Sequence, residues 1–322
     1  MQKDNILVIG ACGQLGTELT YELMKVHGEG HVFACDIRKE KEVKHLFDAK
    51  IYRHLNVLDS KKLNAIIVEF KITQIYHLAA YLSASGERNP AAAWELNMDG
   101  LFNVLNAAKD LGLRKIYWPS SIAVFGPHTP TIGTPQHCVM DPNTVYGITK
   151  LAGERYCEYY NKRYGVDVRS LRYPGLIGWK SAPGGGTTDY AVTIYHEALQ
   201  QKKFECFLKS DTALPMLYMP DALRATIDIM EAPSDKIKIR SSYNLSGMSF
   251  TPKEVATSIK KYIPDFKITY APDYRQAIAD SWPSSIDDKM AKKHWGWKPK
   301  FNLDKMTKDM LENLGKQYSL KK

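Results

Sequence analysis

A tyrosine and a lysine stand four positions apart in Tyr146-Gly147-Ile148-Thr149-Lys150, inside a segment of helical periodicity. On a helix that spacing puts both side chains on one face, a phenol beside an ammonium. A free phenol ionises near pH ~10 and is a poor base at neutral pH, but a neighbouring positive charge stabilises its phenolate. Such a pair can take the proton of an alcohol. Upstream, Ser120-Ser121-Ile122-Ala123 follows an apolar run, and a serine at the carboxyl end of a strand, here Ser121, can hydrogen-bond a reacting oxygen. Asn97, in Leu96-Asn97-Met98-Asp99-Gly100, falls early in a helical stretch, where it supports Lys150 through backbone or water contacts or is simply a polar helix residue. Tyr-x-x-x-Lys also arises by chance on surface helices, so its meaning rests on what surrounds it.

What surrounds it is a nucleotide site. Gly10-Ala11-Cys12-Gly13-Gln14-Leu15-Gly16 follows the first apolar run and opens a helix. Gly10, Gly13 and Gly16 allow a sharp turn and close approach of a pyrophosphate, and Gln14 and Leu15 begin the helix whose N-terminus faces that charge. Asp36 ends the second run, about 20 residues on, where a carboxylate accepts hydrogen bonds from ribose hydroxyls. Its charge repels a 2′-phosphate, so NAD is expected rather than NADP. Arg38 pulls the other way, because a guanidinium could welcome that phosphate, and is read as packing near the adenine. Asn56 and Val57, at the end of the third run, are placed to touch the adenine edge; Leu78, Ala79 and Ala80, after the fourth, leave room for the cofactor backbone. Lys150 and the oxidised nicotinamide together would then supply the positive charge that Tyr146 needs.

The elements that must hold these residues follow from periodicity. Apolar runs at 6–9, 32–35, 52–55, 74–78, 115–118 and 166–171 alternate with helical stretches at 14–26, 61–70, 91–111 and 145–164. That alternation predicts an α/β fold: a doubly wound parallel Rossmann-type sheet over residues 1–173. After Tyr173 a Pro- and Gly-bearing stretch gives way to shorter mixed elements, read as a smaller substrate-binding lobe over 174–322 from which some elements return to the main sheet.

Composition narrows the class. The chain has 322 residues, 44% of them hydrophobic and 25% charged, as in an ordinary soluble globular protein. The net charge of +9 is dispersed, so no nucleic-acid partner is expected, and no apolar segment is long enough for a membrane. Five scattered cysteines without a C-x-x-C pair suggest neither disulfide framework nor metal site. No presequence pattern precedes Asn5, and a cytoplasmic setting is expected.

The Gly-rich turn, Asp36, Asn97, Ser121, Tyr146 and Lys150, in this order and spacing, resemble the extended short-chain dehydrogenase/reductase superfamily. Arg172-Tyr173-Pro174-Gly175-Leu176-Ile177-Gly178, Pro183-Gly184-Gly185-Gly186-Thr187-Thr188-Asp189-Tyr190-Ala191, Leu214-Pro215-Met216-Leu217-Tyr218-Met219-Pro220-Asp221 and Asp280-Ser281-Trp282-Pro283 are similar to the short-chain type of L-threonine 3-dehydrogenase. The resemblance implies oxidation of the C3 hydroxyl of L-threonine to 2-amino-3-oxobutyrate, with hydride passing to NAD. It implies that Tyr173 and Leu176 touch the cofactor, that Ser83, Gly186 and Thr187 contact the amino acid beside Ser121 and Tyr146, and that Trp282 walls the pocket. It also implies a homodimer through the helices around 101–111 and 152–164. The three glycines 184–186, ahead of a helix expected near Thr188, could offer backbone N–H groups to a carboxylate. Two rivals remain open: a sugar-nucleotide epimerase, with Arg224 and Arg275 clasping a pyrophosphate, and a non-catalytic NAD(P)-sensing protein, which would have no need of Ser121, Tyr146 and Lys150 together.

Overall fold

The computed structural model describes residues 3–183 and 186–320. The chain divides into two compact units, each discontinuous in sequence. The first takes the chain up to Val124, then Asn143–Arg172 and Leu223–Tyr243; the second takes Phe125–Pro142, Tyr173–Ala222 and the chain from Asn244 onward.

The first unit begins with β1 (Ile6–Ile9), whose four apolar residues are all buried, as a strand covered on both faces demands. There follow α1 (Gln14–His27), β2 (Val32–Asp36), the single turn α2 (Glu40–Val43), β3 (Tyr52–His54), α3 (Ser60–Glu69) and β4 (Gln74–His77). Next come α4 (Ser83–Arg88), α5 (Pro90–Trp94), α6 (Gly100–Leu111), β5 (Lys115–Tyr117), β6 (Ser120–Ser121), α7 (Val145–Tyr164), β7 (Val168–Arg169) and β8 (Leu171–Tyr173). Six strands form one parallel sheet in the order β3-β2-β1-β4-β5-β7. This is the doubly wound sheet that the alternating pattern predicts. The order reverses between β1 and β4, and a crevice at the carboxyl ends of those two strands is where open α/β sheets bind ligands. One face of the sheet is filled by Leu7, Ile9, Ile75 and Ile116 against Leu63 and Ile66 of α3, Leu101, Val104 and Leu105 of α6, and Cys157 and Tyr160 of α7.

Two stretches depart from expectation. The run at 91–111 is helical throughout but not uniformly α-helical: a π-helical segment, Glu95–Asp99, joins α5 to α6. The run at 166–171 gives two short strands, β7 and β8, rather than one. Helix α7 has the expected limits because both ends are chemically marked. The Thr144 hydroxyl accepts the Gly147 N–H at 3.1 Å, and Gly165, at φ +73°, closes the helix in the left-handed conformation.

The second unit contains β9 (Gly175–Ile177), α8 (Tyr190–Gln200), β10 (Lys203–Cys206) and β11 (Leu214–Tyr218). Helix α9 (Met219–Glu231) carries the chain back to the first unit, which ends in β12 (Tyr243–Asn244). The rest is β13 (Met248–Phe250), α10 (Pro252–Lys260), β14 (Lys267–Tyr270), α11 (Arg275–Asp280), α12 (Lys289–Trp295) and α13 (Leu303–Ser319). Here β11 pairs parallel with β9 and antiparallel with β13, and β10 pairs parallel with β14. A separate core joins Ile194 and Tyr195 of α8 to Val255 and Ile259 of α10 and Met306 and Met310 of α13. A third short sheet has the order β12-β8-β6.

Candidate active site

At the first turn, Gly10 adopts φ +83°, and a Cβ there would come within 2.7 Å of the Ala79 amide nitrogen. Only glycine accepts both the angle and the approach. Its N–H and that of Ala11 donate to the Cys35 carbonyl at 2.9 and 3.0 Å, folding the turn across β2. Gly13 is the N-cap of α1, with no side-chain cap and no acidic residue in the first turn. The leading N–H donors of a 14-residue helix are thus left for an anion, and Gln14 and Leu15 open that helix. Gly16 packs against the Gly10 carbonyl and the Ala11 backbone, where any side chain would collide.

Asp36, at the end of β2, accepts the Cys12 N–H at 3.0 Å on Oδ2 and the Arg38 N–H at 3.2 Å on Oδ1. Each carboxylate oxygen keeps capacity for a ribose hydroxyl. Tyr52 donates to the Arg38 carbonyl at 2.5 Å and fixes the loop behind Asp36, an anchor that periodicity alone does not announce. The Arg38 residue is exposed. Burial and the charge of Asp36 push the Cys12 thiol up to about 11, so it stays protonated beside this carboxylate. Leu78 continues the ladder through its N–H to the Ile9 carbonyl at 2.8 Å, and Leu78, Ala79 and Ala80 are half-buried. Asn56 is exposed and accepts the Leu58 N–H at 3.1 Å, whereas Val57 is buried against Gly100. An uncapped helix start, a glycine turn that only glycine can make and a pre-oriented carboxylate together fit a dinucleotide. Replacing Asp36 with Ser should raise the KM for NAD by roughly ten-fold or more and lift the NADP-to-NAD ratio of kcat/KM. Steady-state assays with both cofactors check this, and an unchanged ratio would remove Asp36 from cofactor choice.

Tyr146 and Lys150 follow the Thr144 cap by two residues and by six, so both lie within the first two turns of α7. Lys150 is buried; its Nζ donates to the Pro119 carbonyl at 2.7 Å, lies 4.3 Å from the centroid of the Trp118 ring and 5.6 Å from that of Tyr146. Trp118 and Pro119 are partners the sequence reading missed; their position just past β5, before Ser120-Ser121, was the available signal. Gly153 makes room for Trp118, whose ring any side chain at 153 would overlap. Burial pulls the Lys150 ammonium down to about 7. Burial also pushes the Tyr146 phenol up to about 12, opposed by its hydrogen bond with Ser121. The Ser121 oxygen accepts the Ala123 N–H at 3.2 Å, so its own proton is available to the Tyr146 oxygen.

Asn97 lies in the π-helical segment and is buried. Its Nδ2 donates to Thr149 Oγ1 at 3.0 Å and to the Tyr81 carbonyl at 3.2 Å, and its Oδ1 accepts the Tyr81 N–H at 2.8 Å. It therefore touches the neighbour of Lys150, and it clamps the loop that leads to Ser83, the half-buried first residue of α4.

Tyr173, Leu176, Gly186, Thr187 and Trp282 belong to the second unit. Tyr173 ends β8 and is buried; Leu176 pairs with Leu217 in the β9–β11 ladder. Thr187 is buried, and the side chain of its neighbour Thr188 closes against Gly175, where an added Cβ would meet it at 2.8 Å. Trp282 packs on the core of that unit. Gly184 and Gly185 lie outside the described residues. The reading of Gly186 is corrected: its N–H is taken by Asp189 Oδ2 at 2.9 Å, and α8 begins at Tyr190 rather than near Thr188, because that Asp189 turn precedes it. Arg224 pairs with Asp228, and Arg275 with Asp273. Among the described residues no three His, Cys, Asp or Glu side chains gather as a metal site, and no helix is long and apolar enough to cross a membrane.

Over 316 residues, 98% of this chain and 84% of the relative, the sequence is 47% identical to the mitochondrial L-threonine 3-dehydrogenase of Bos taurus. The fold superposes with TM-score 0.93 and 53% identity on the holo form of the GalE-like L-threonine dehydrogenase of Cupriavidus necator, covering 96% of this chain and 99% of that one. A monomeric L-threonine 3-dehydrogenase from a metagenome, in its apo form, gives TM-score 0.91 and 47% identity over 97% and 99% of the two chains. A model of the NAD dependent epimerase/dehydratase family matches residues 6–246, the span that holds the glycine turn, Asp36, Ser121, Tyr146 and Lys150, and the chain belongs to that family.

Proposed function

We propose that the protein oxidises the C3 hydroxyl of L-threonine with NAD, giving 2-amino-3-oxobutyrate. One observation carries the reading: a Tyr146–Lys150 pair, with Ser121 bonded to the phenol, in a chain that matches threonine dehydrogenases along nearly its whole length. Tyr146 Oη takes the proton of the C3 hydroxyl. Ser121 donates to the same oxygen as it becomes a ketone, and Lys150, anchored to Pro119, supplies positive charge beside the phenolate. Gly10, Gly13, Gly16 and Asp36 would hold NAD, which would supply the hydride acceptor for C3. Asn97 fixes the loop that presents Ser83 to the amino acid. The product is a β-keto acid and can lose carbon dioxide to give aminoacetone.

NADH formation from L-threonine, run beside conversion of UDP-glucose, tests the substrate. Threonine-dependent NADH is the expected result, and turnover of the sugar nucleotide alone would overturn the reading. In α6 and α7, Leu111, Ile148, Tyr156, Tyr159 and Tyr164 remain exposed, between 41 and 50%. These are large apolar groups on helices otherwise built into the first unit, and a second copy of the chain would cover them. Sedimentation at micromolar concentration should give a dimer; a monomer at that concentration would refute it and align this chain with its monomeric relative. Every described cysteine is a free thiol, which suits a reducing cytoplasm.

A further inference from the structure

Beyond the reacting residues, a buried charged cluster lies in the first unit. Glu154 follows Lys150 by four positions and Tyr146 by eight, so the three share one face of α7. Its side chain is fully buried. Arg172 Nε donates to Glu154 Oε1 at 2.8 Å, an Arg172 terminal nitrogen donates to Oε2 at 2.7 Å, and Ser120 Oγ donates to Oε1 at 2.7 Å. Arg172 is itself nearly fully buried.

Two features set this cluster apart from an ordinary buried ion pair. Ser120 is the residue before Ser121, so Glu154 ties the strand that carries the hydrogen-bond donor to the helix that carries the phenol. Eight residues of helix span about 12 Å, and a tether there limits both tilt and slide of one element against the other. Glu154 also places a standing negative charge one turn from Lys150. Against the burial that lowers it, Cys157 and Glu154 favour the charged form of Lys150. Burial holds the Cys157 thiol far above its ordinary value, so it carries no charge at neutral pH and Glu154 is left as the countercharge. From β4, His77 feels Lys150 in turn: burial and that ammonium pull its ring down to about 3, so it is neutral. From β8, Arg172 balances Glu154, and from the segment after β5 come the Trp118 ring and the Pro119 carbonyl.

We propose that Glu154, clamped by Arg172 and Ser120, is a positioning residue that sets both the charge state of Lys150 and the registration of Ser121 with Tyr146. The proposal rests on the dehydrogenase reading only for its kinetic arm.

Carbon-13 labelling of the lysine side chains in the cofactor-free protein, with Lys150→Met to assign the signal, reads the Lys150 titration directly. Glu154→Gln leaves Arg172 unbalanced, so Lys150 should release its proton about one pH unit lower than in the parent. Arg172→Gln leaves Glu154 unbalanced and should move the midpoint the opposite way. A loss of packing alone would not give opposite signs; midpoints that stay put or move together in the two folded variants overturn the electrostatic half. Ser120→Ala keeps the ion pair and is the mild arm, used also if either charge variant does not fold. It should lower kcat with threonine roughly ten-fold and leave both KM values within about two-fold, since a small misplacement of reacting groups acts on the chemical step. An unchanged kcat overturns the registration half. Absence of threonine turnover in the parent would instead count against the function, and leaves the lysine titration able to decide.

Discussion

Replacing Tyr146 with phenylalanine should cut threonine-dependent NADH formation by roughly 1,000-fold or more while moving NAD affinity by less than about three-fold. The substitution removes one oxygen and keeps the ring that lies beside Lys150. Turnover assays and titration of cofactor binding by fluorescence measure the two quantities. A variant retaining a tenth of the activity would take Tyr146 out of the reaction. The dependence on pH has a definite sign. Burial pushes the phenol up to about 12, so at neutral pH the cofactor-free protein holds its proton, and the base form grows as pH rises. The value of kcat/KM should therefore climb with pH. Ser121→Ala removes the hydrogen bond that favours the phenolate and should move that climb to higher pH; movement to lower pH would contradict the donor role assigned to Ser121.

The second large effect is expected at Gly16. A Cβ there would overlap the Gly10 carbonyl and lie 2.9 Å from Ala11 Cα, both backbone, so no side chain can swing aside. Helix α1 must move off the end of β1, carrying its uncapped N-terminus away from the anion it would hold. Overpacking of this kind costs about 1–3 kcal/mol or more, and Gly16→Ala should lower the melting temperature by several degrees and weaken NAD binding roughly 100-fold. Gly30→Ala is the matched control, since nothing lies within 4 Å of an added Cβ there. Native affinity in Gly16→Ala would mean that the turn does not form the cofactor cradle.

The sheet was legible because its signals are local and redundant. Strand β1 is an unbroken apolar run buried on both faces, and α7 carries a threonine cap and a left-handed glycine at its two ends. The π-helical segment at Glu95–Asp99 was not legible: one widened turn barely disturbs apolar spacing, so 91–111 reads as a single helix. The site divides the same way. Residues defined by spacing along one element, Tyr146 with Lys150 and the glycine turn with Asp36, could be named from the sequence. Partners defined by tertiary approach could not: Tyr52 behind Asp36, the Pro119 carbonyl at Lys150, and Arg172 on Glu154. Two cues were visible all the same: Glu154 stands four residues beyond Lys150, and Pro119 lies just past β5. Gly186 misled for the same reason, since only the fold reveals that Asp189 takes its N–H.

The discontinuity of the two units bears on how the chain matures. The first unit draws its last segment from Leu223–Tyr243, and the other unit reaches back to Phe125–Pro142 for its first. On a ribosome, all six strands of the large sheet are made by Arg169, but the unit around them stays incomplete until Tyr243, three-quarters of the way along the chain, has left the exit tunnel. Nascent chains arrested before that point should remain sensitive to protease, and no single cut in the gene would release either unit whole.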